Sequence, residues 1–164
     1  MAQSAITAGT IAGGNKVIQM VYNSSATVGS TTTAFPGDDT IPQNTEGAEF
    51  ITQAITPTSA SNNLVIEVFV PVCEINSASY WSGAIFQDST ANALASSTLI
   101  PTGSTYVQQF YLMKIMTAGT TSSTTFKFRY GPINTLTAYI NQSSAGRLFG
   151  GIATTFLKIT EIEP

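Results

Sequence analysis

The chain has 164 residues and a formal net charge of −3, with 43% hydrophobic residues and only 9% charged residues. This length fits one domain with a sizeable core, and the hydrophobic content excludes an intrinsically disordered chain. The six basic residues are spread along the chain, so the clustered basic footprint of a nucleic-acid-binding protein is missing and we expect no nucleic-acid partner. Serine, threonine, asparagine and glutamine take the place of charged residues, as in rigid β-proteins that assemble or face the outside.

The residues on which most enzymes and metal sites depend are scarce. The chain has no histidine and one cysteine, Cys73. The commonest general base and the commonest metal ligand are therefore absent, and neither an internal disulfide nor a multi-cysteine zinc site can form. There is also no Gly-x-Ser-x-Gly nucleophile motif. We therefore expect no enzymatic activity, no bound cofactor and no metal.

The N-terminus has neither the basic segment nor the long apolar segment of a signal peptide. No apolar run reaches the length of a transmembrane helix. The sequence therefore predicts synthesis in the cytoplasm and no membrane partner.

Residues 1–14 are rich in alanine, serine, threonine and glycine and end in Ala-Gly-Gly. Such a segment buries little surface, so we expect a flexible arm followed by one folded domain over residues 15–164. The arm is either a frayed terminus or a tether that becomes ordered on a partner. In the second case Ala2, Gln3, Ser4, Ala5 and Ile6 are the candidate contact residues.

Runs of β-branched and aromatic residues between turn-forming residues predict about eight strands. These runs cover residues 16–22, 49–56, 64–73, 80–87, 106–116, 125–130, 136–140 and 152–162. The segment 23–33 is predicted as a loop or weak edge strand, and 88–95 as a loop or short helical turn. With no convincing amphipathic helix, the pattern predicts an all-β antiparallel sandwich, and eight strands favour a jelly roll.

Both faces of the strongest predicted strand, 64–73, carry apolar residues, which is typical of a strand covered on both sides. Pro71 predicts a sheet edge or a β-bulge at its position, because proline cannot donate a ladder hydrogen bond. In the segment 125–130, Phe126, Phe128 and Tyr130 alternate with polar residues and are predicted to point inward.

Residues 36–50 hold four of the nine acidic residues: Asp38, Asp39, Glu46 and Glu49. One interpretation is a calcium site, since calcium takes six to eight oxygen ligands. The spacing does not match the EF-hand loop, however. The favoured interpretation is a solvated loop whose carboxylates fix turns or subunit contacts.

Aromatic residues, Trp81 and Tyr139 among them, could form a sugar-stacking patch, although aromatics at strand spacing more often belong to a core or a subunit interface. The mean hydropathy is +0.17. A monomer whose strands are apolar on both faces would expose much of its apolar surface to water. Burial between subunits with closed symmetry would remove it from water. A trimer is preferred, and the composition also permits a dimer.

Several segments resemble, in order and spacing, a module of tailed-bacteriophage virion proteins. They are Pro-Gln-Asn-Thr-Glu-Gly at 42–47 with Phe50, and the segments 57–62, 64–68, 84–89, 116–121, 125–132, 146–151 and 159–162. The resemblance covers roughly residues 16–162 and implies a compact jelly roll, similar to the tumour-necrosis-factor and C1q heads, that forms a homotrimer. The resemblance implies no catalytic residues for this chain.

Modules of this type often lie at the ends of phage fibres, but no collagen-like or coiled shaft precedes the module in this sequence. We therefore expect a capsid decoration, or cement, protein that is made in the host cytoplasm and stabilises the outside of a phage head. Its arm would contact the major capsid protein. The alternative is a tail-fibre or head-fibre tip that binds a host-surface glycan, with Trp81 or Tyr139 stacking on the sugar.

Overall fold

A computed structural model describes residues 16–100 and 106–164. The predicted arm, with its candidate contact residues 2–6, lies outside the described residues. Within those residues the protein is all-β, and no helix is long and apolar enough to cross a membrane.

The strands are β1 (Val17–Ser25), β2 (Gly29–Thr31), β3 (Ala48–Ile55), β4 (Asn63–Ile75), β5 (Trp81–Gln87), β6 (Ala95–Leu99), β7 (Gln108–Thr117), β8 (Thr124–Pro132), β9 (Ala138–Ile140), β10 (Gln142–Ser143), β11 (Gly146–Arg147) and β12 (Thr155–Ile162). A 3-10 turn, Phe149–Gly151, precedes β12. Buried and partly exposed residues alternate along β12 and along most of β4 and β8.

The strands form an antiparallel sandwich. The first sheet has the order β1-β12-β4-β7. The short strand β9 pairs with the last three residues of β4, and β2 pairs with β9. The second sheet has the order β3-β8-β5-β6. Numbered along the chain, the eight strands of five or more residues therefore follow the orders 1-8-3-6 and 2-7-4-5. Consecutive long strands mostly cross between sheets, which is the connectivity of a jelly roll.

The core lies between the two sheets. Leu64, Ile66 and Val68 of β4 are fully buried. Burial of each such side chain contributes about 1.5–3 kcal/mol to folding. Phe126 and Phe128 of β8 belong to the same core cluster, as the alternation in 125–130 predicted.

The structure confirms the predicted bulge at Pro71, because the register of β4 against β7 shifts between Val70 and Cys73. Several strand bounds differ from the predictions, that of the last strand among them. Ile152 was assigned to the last strand, but it lies in the preceding loop with 83% exposure. Strand β6 was not predicted, because its sequence, Ala-Ser-Ser-Thr-Leu, is small and polar. Its backbone hydrogen bonds to β5 hold it in the sheet.

Candidate functional site: the outer face of the first sheet

The side of the first sheet that points away from the core carries the largest group of exposed apolar side chains in the described residues. Met20 and Tyr22 of β1 are 55% and 65% exposed, and Tyr111, Met113 and Ile115 of β7 are 52%, 47% and 55% exposed. We call this surface the outer face. It consists of Met20, Tyr22, Val65, Glu67, Phe69, Tyr111, Met113, Ile115, Phe156, Lys158 and Thr160.

Antiparallel register aligns these side chains in three rows across the sheet. The rows are Met20-Thr160-Val65-Ile115, Tyr22-Lys158-Glu67-Met113 and Phe156-Phe69-Tyr111. Directly opposed residues in an antiparallel pair point to the same side, so each row is a continuous stripe. The sequence predicted that 64–73 is covered on both sides. In the single subunit one side of β4 is buried in the core, whereas Val65, Glu67 and Phe69 on the other side are partly exposed on the outer face.

An ionic cluster joins Lys158 and Glu67 of the middle row to Tyr111 of the neighbouring row. The Nζ atom of Lys158 is 2.6 Å from Oε2 of Glu67, and the Tyr111 hydroxyl donates a 2.9 Å hydrogen bond to Oε1. The side chains of Lys158 and Glu67 are 32% and 20% exposed. Partial burial, together with the nearby Glu67 carboxylate, raises the pKa of the Tyr111 hydroxyl. Both carboxylate oxygens are thus partnered within one chain.

The two rows beside the cluster are mainly apolar. Phe69 and Phe156 pack with ring centroids 5.7 Å apart. A groove of about 320 Å³ opens beside Phe156 and is lined by Tyr22, Ser24, Thr154, Phe156 and Lys158. The outer face therefore offers a mainly apolar surface with one compensated ion pair, which suits protein–protein contact better than catalysis.

A second apolar surface lies where the edge strands of the two sheets meet. Ile100 follows β6, and Tyr106 and Val107 precede β7; they are 61%, 58% and 41% exposed. We call these three residues the apolar edge. It is distinct from the outer face, so one subunit carries both a flat apolar face and an apolar border.

The acidic loop is held together by its own hydrogen bonds. Asp38 Oδ1 accepts bonds from the backbone and hydroxyl of Thr40, and these bonds lower the pKa of Asp38. Glu46 Oε2 accepts a 2.9 Å bond from the backbone N–H of Gln43. The prediction that the carboxylates fix turns is confirmed for Asp38 and Glu46.

Glu49 follows this loop on strand β3, and its Oε2 atom lies 3.6 Å from Nη1 of Arg129 on β8. Within residues 16–100 and 106–164, no three or more histidine, cysteine, aspartate or glutamate side chains are grouped so that they could hold a metal ion.

The structure corrects the prediction for Trp81. Its side chain is 1% exposed and packs against Phe110 and Tyr130, with ring centroids 5.0 Å and 5.5 Å away. Its Nε1–H donates a 3.1 Å hydrogen bond to the carbonyl oxygen of Tyr139. Trp81 therefore belongs to the core and cannot stack on a glycan, while the Tyr139 side chain is half-buried on the short strand β9.

Glu161 is a buried carboxylate that the sequence analysis missed. It is 0% exposed, and its Oε1 accepts bonds from the Thr58 backbone and hydroxyl, both 2.8 Å, and from Nδ2 of Asn62, 2.7 Å. Gln19 donates a 2.6 Å bond to Oε2. Burial alone would raise the pKa of Glu161, but these hydrogen bonds outweigh it and lower the pKa to about 2.

The position of Glu161 could have been found from the sequence, because Leu157, Ile159 and residue 161 alternate with more polar positions on the last strand. That alternation predicts a side chain buried in the core at residue 161. A similar signal indicates the ionic cluster, because Glu67 and Lys158 are charged residues whose neighbours along the strand are apolar. A charge at a strand position flanked by apolar residues indicates a specific partner.

No protein-family model matches the chain, and no curated protein matches it. Among solved structures, the C-terminal domain of EclA, a sugar-binding protein, is similar with a TM-score of 0.43 and 13% identity over 72% of this chain and 76% of that chain. Dimeric latent PorU from Porphyromonas gingivalis has a TM-score of 0.39 and 8% identity over 92% of this chain and 14% of that chain.

The enzymatically active domain of tailspike protein 4 from bacteriophage CBA120 has a TM-score of 0.28 and 16% identity, over 77% of this chain and 19% of that chain. The matched structures thus include a sugar-binding domain and a phage tailspike domain, and this chain spans less than a fifth of the length of PorU and of the tailspike domain. TM-scores below 0.5 are too low to support a functional assignment.

Proposed function

We propose that this protein is a structural subunit of a phage virion, a homotrimer that decorates the exterior of the capsid and stabilises the head. The observation that carries the proposal is the outer face, where Met20, Tyr22 and three apolar residues of β7 are each about half exposed or more. A contiguous apolar surface of this kind marks an interaction site, because exposing it to water is unfavourable.

The arrangement of the two apolar surfaces favours a second copy of the chain as the occupant of the outer face. The apolar edge of one subunit can pack on the outer face of the next, so each copy uses two different surfaces. Such a heterologous contact generates a closed ring when the rotation between copies is suitable. The paired charges of Lys158 and Glu67 leave no uncompensated charge to be buried.

The placement on a capsid rests on the resemblance to phage virion modules and on the composition. With only 9% charged residues, the surface is dominated by hydroxyls, amides and apolar groups, which suits a rigid assembled shell better than a freely diffusing enzyme. The partner is the major capsid protein, and residues 2–6 of the arm supply the contact. The proposal includes no catalytic step.

Capsids that lack the protein provide the test. The full chain should be trimeric by light scattering, should bind such capsids with a copy number that scales with the number of capsid subunits, and should raise the temperature at which they lose their genome. A variant without residues 1–14 should remain trimeric and should not bind. Binding of the truncated protein at full occupancy would refute the role of the arm.

A fibre tip that binds a host-surface glycan is the second candidate. It is favoured by an open cleft of about 310 Å³ beside the acidic loop, lined by Asp38, Asp39 and Ile41 on one side and residues 93–96 on the other. Carboxylates beside an apolar surface can accept bonds from sugar hydroxyls and contact the sugar ring. Glycan-array binding that is lost in Asp39→Asn, together with a few copies per virion, would favour this function over capsid decoration.

A further inference from the structure

We propose that the Glu74 carboxylate, in a narrow crevice beside the apolar edge, binds a primary ammonium group. The group is the side-chain end of a lysine in a partner polypeptide, or a free alkylamine. The described walls of the crevice all belong to one subunit, so the site is present in the single chain and is independent of the proposed homotrimer.

Glu74 is a buried carboxylate with an unmet acceptor. It lies near the end of β4, is 2% exposed, and is paired across the ladder with Tyr139 of β9. Within the part of the chain that the structure describes, its Oε1 atom accepts no hydrogen bond and its carboxylate forms no salt bridge. By contrast, Glu161 accepts hydrogen bonds at both of its carboxylate oxygens. A buried acceptor that is left unmet is costly, above all a charged one, so Glu74 indicates a donor that the described residues do not supply.

The crevice beside Glu74 fits a single side chain. Its walls include Trp81, Leu99, Tyr106 and Gln108, and its volume is about 160 Å³, well below the roughly 300–1,000 Å³ of common small-molecule sites. It is too narrow for a water molecule in the single subunit, so bulk water does not serve the carboxylate there. Tyr106 is 58% exposed, and exposed side chains change rotamer within nanoseconds, so a turn of Tyr106 can admit the ligand.

The chemistry of the walls favours an organic cation over a metal ion. Hard metal ions take about six oxygen ligands, and no group of three acidic, histidine or cysteine side chains lies around Glu74 in the described residues. The Cys73 thiol donates a 3.4 Å hydrogen bond to the carbonyl oxygen of Gln108, and burial raises the pKa of Cys73 to about 12, so no thiolate is offered to a soft metal. An ammonium group brings three N–H donors, while Trp81 and Leu99 accept its alkyl chain.

The surroundings of the crevice favour a polypeptide as the source of the ammonium group. Ile100, Tyr106 and Val107 of the apolar edge are 61%, 58% and 41% exposed, and Tyr106 also lines the crevice. A buried polar anchor bordered by apolar surface that excludes water is the arrangement of an interaction hot spot. The apolar edge would therefore cover the stem of a lysine whose ammonium group reaches Glu74.

Titration of the full chain with butylammonium chloride tests the site. Trp81 is the single tryptophan and lines the crevice, so its fluorescence should change saturably, with a dissociation constant in the millimolar range. Butanol has the same alkyl chain without the charge and should produce no saturable change. Glu74→Gln retains the shape and removes the charge, so the variant should be at least as stable as the wild type and should bind butylammonium at least about tenfold more weakly. The matched control is Glu163→Gln, since Glu163 is exposed, and it should bind like the wild type.

A blocked tripeptide, Ala-Lys-Ala, distinguishes the two sources of the ammonium group. Tighter binding of this peptide than of butylammonium, lost when its lysine is acetylated, would assign the site to a polypeptide. Weaker binding of the peptide would assign it to a free amine.

Three results would overturn the proposal. They are equal binding of butylammonium by the wild type and Glu74→Gln, an equal response of the wild type to butanol, and a rise in melting temperature with calcium or zinc chloride that Glu74→Gln abolishes. The last result would identify a metal site instead. If Glu74→Gln fails to fold, the comparison of butylammonium with butanol on the wild type decides.

Discussion

The side-chain amide of Asn62 donates a 2.7 Å hydrogen bond to Oε1 of Glu161, so the turn before β4 is attached to the end of β12. Thr58 adds a backbone and a hydroxyl donor to the same oxygen. These residues are about a hundred positions apart in the sequence. The contact therefore joins the last strand of the domain to the turn that opens its central strand.

We expect Glu161→Gln to destabilise the domain by about 2–3 kcal/mol, because one acceptor oxygen becomes an amide that faces donors and leaves buried groups unpaired. Urea unfolding followed by tryptophan fluorescence measures the change, with Trp81 as the single tryptophan. The control is Glu163→Gln, since Glu163 is exposed two residues later on the same chain. Equal stabilities of the two variants would contradict the assignment.

The lowered pKa of Glu161 predicts a specific acid sensitivity. The folded state holds this pKa at about 2, below the ordinary value of 4.5, so it binds the proton less readily than the unfolded chain. The contribution of Glu161 to stability is therefore complete above pH 4.5 and is lost as the pH falls toward 2. Melting temperatures between these pH values should fall more steeply for the wild type than for Glu161→Gln.

Gly47 is expected to tolerate no side chain. It has φ of +58°, and a Cβ atom there would lie 2.6 Å from both Phe35 Cδ2 and the Tyr130 carbonyl oxygen. Gly119 has φ of +69°, but a Cβ atom there would meet no atom within 4 Å. Gly119→Ala should therefore cost only the backbone strain, about 1–2 kcal/mol. Gly47→Ala should cost at least about 1 kcal/mol more, as measured by chemical unfolding.

A charge introduced on the outer face should prevent subunit association without unfolding the subunit. Ile115→Glu places a carboxylate on a residue that is 55% exposed in the single subunit, so the fold should survive while subunit association is lost. Light scattering and the melting temperature of the dissociated protein measure the two effects. The control is Ile41→Glu, since Ile41 is equally exposed at 54% but lies in the acidic loop. Association that persists in Ile115→Glu would show that the outer face is not the interface, and dissociation by both variants would show that the effect is not specific to this face.

Much of the fold follows from local patterns that the sequence displays directly. Alternation of apolar and polar residues over 125–130 places Phe126 and Phe128 in the core, because side chains of a strand alternate between two sides. Pro71 marks a bulge because it lacks an N–H donor. Strand β6 was not predicted, because its small polar residues show no alternation of apolar and polar positions. Its backbone pairing with β5 is what makes it a strand.

The sequence by itself determined the all-β class, the approximate strands and the two apolar sides of β4, since these depend on neighbours along the chain. Only the tertiary structure decided which side of β4 faces the core and which is left to the outer face. It also placed Trp81 in the core and brought Glu67 to Lys158, and Glu161 to Asn62. These outcomes depend on the register between strands that are far apart in the sequence, and strand register is set by packing across the whole sheet.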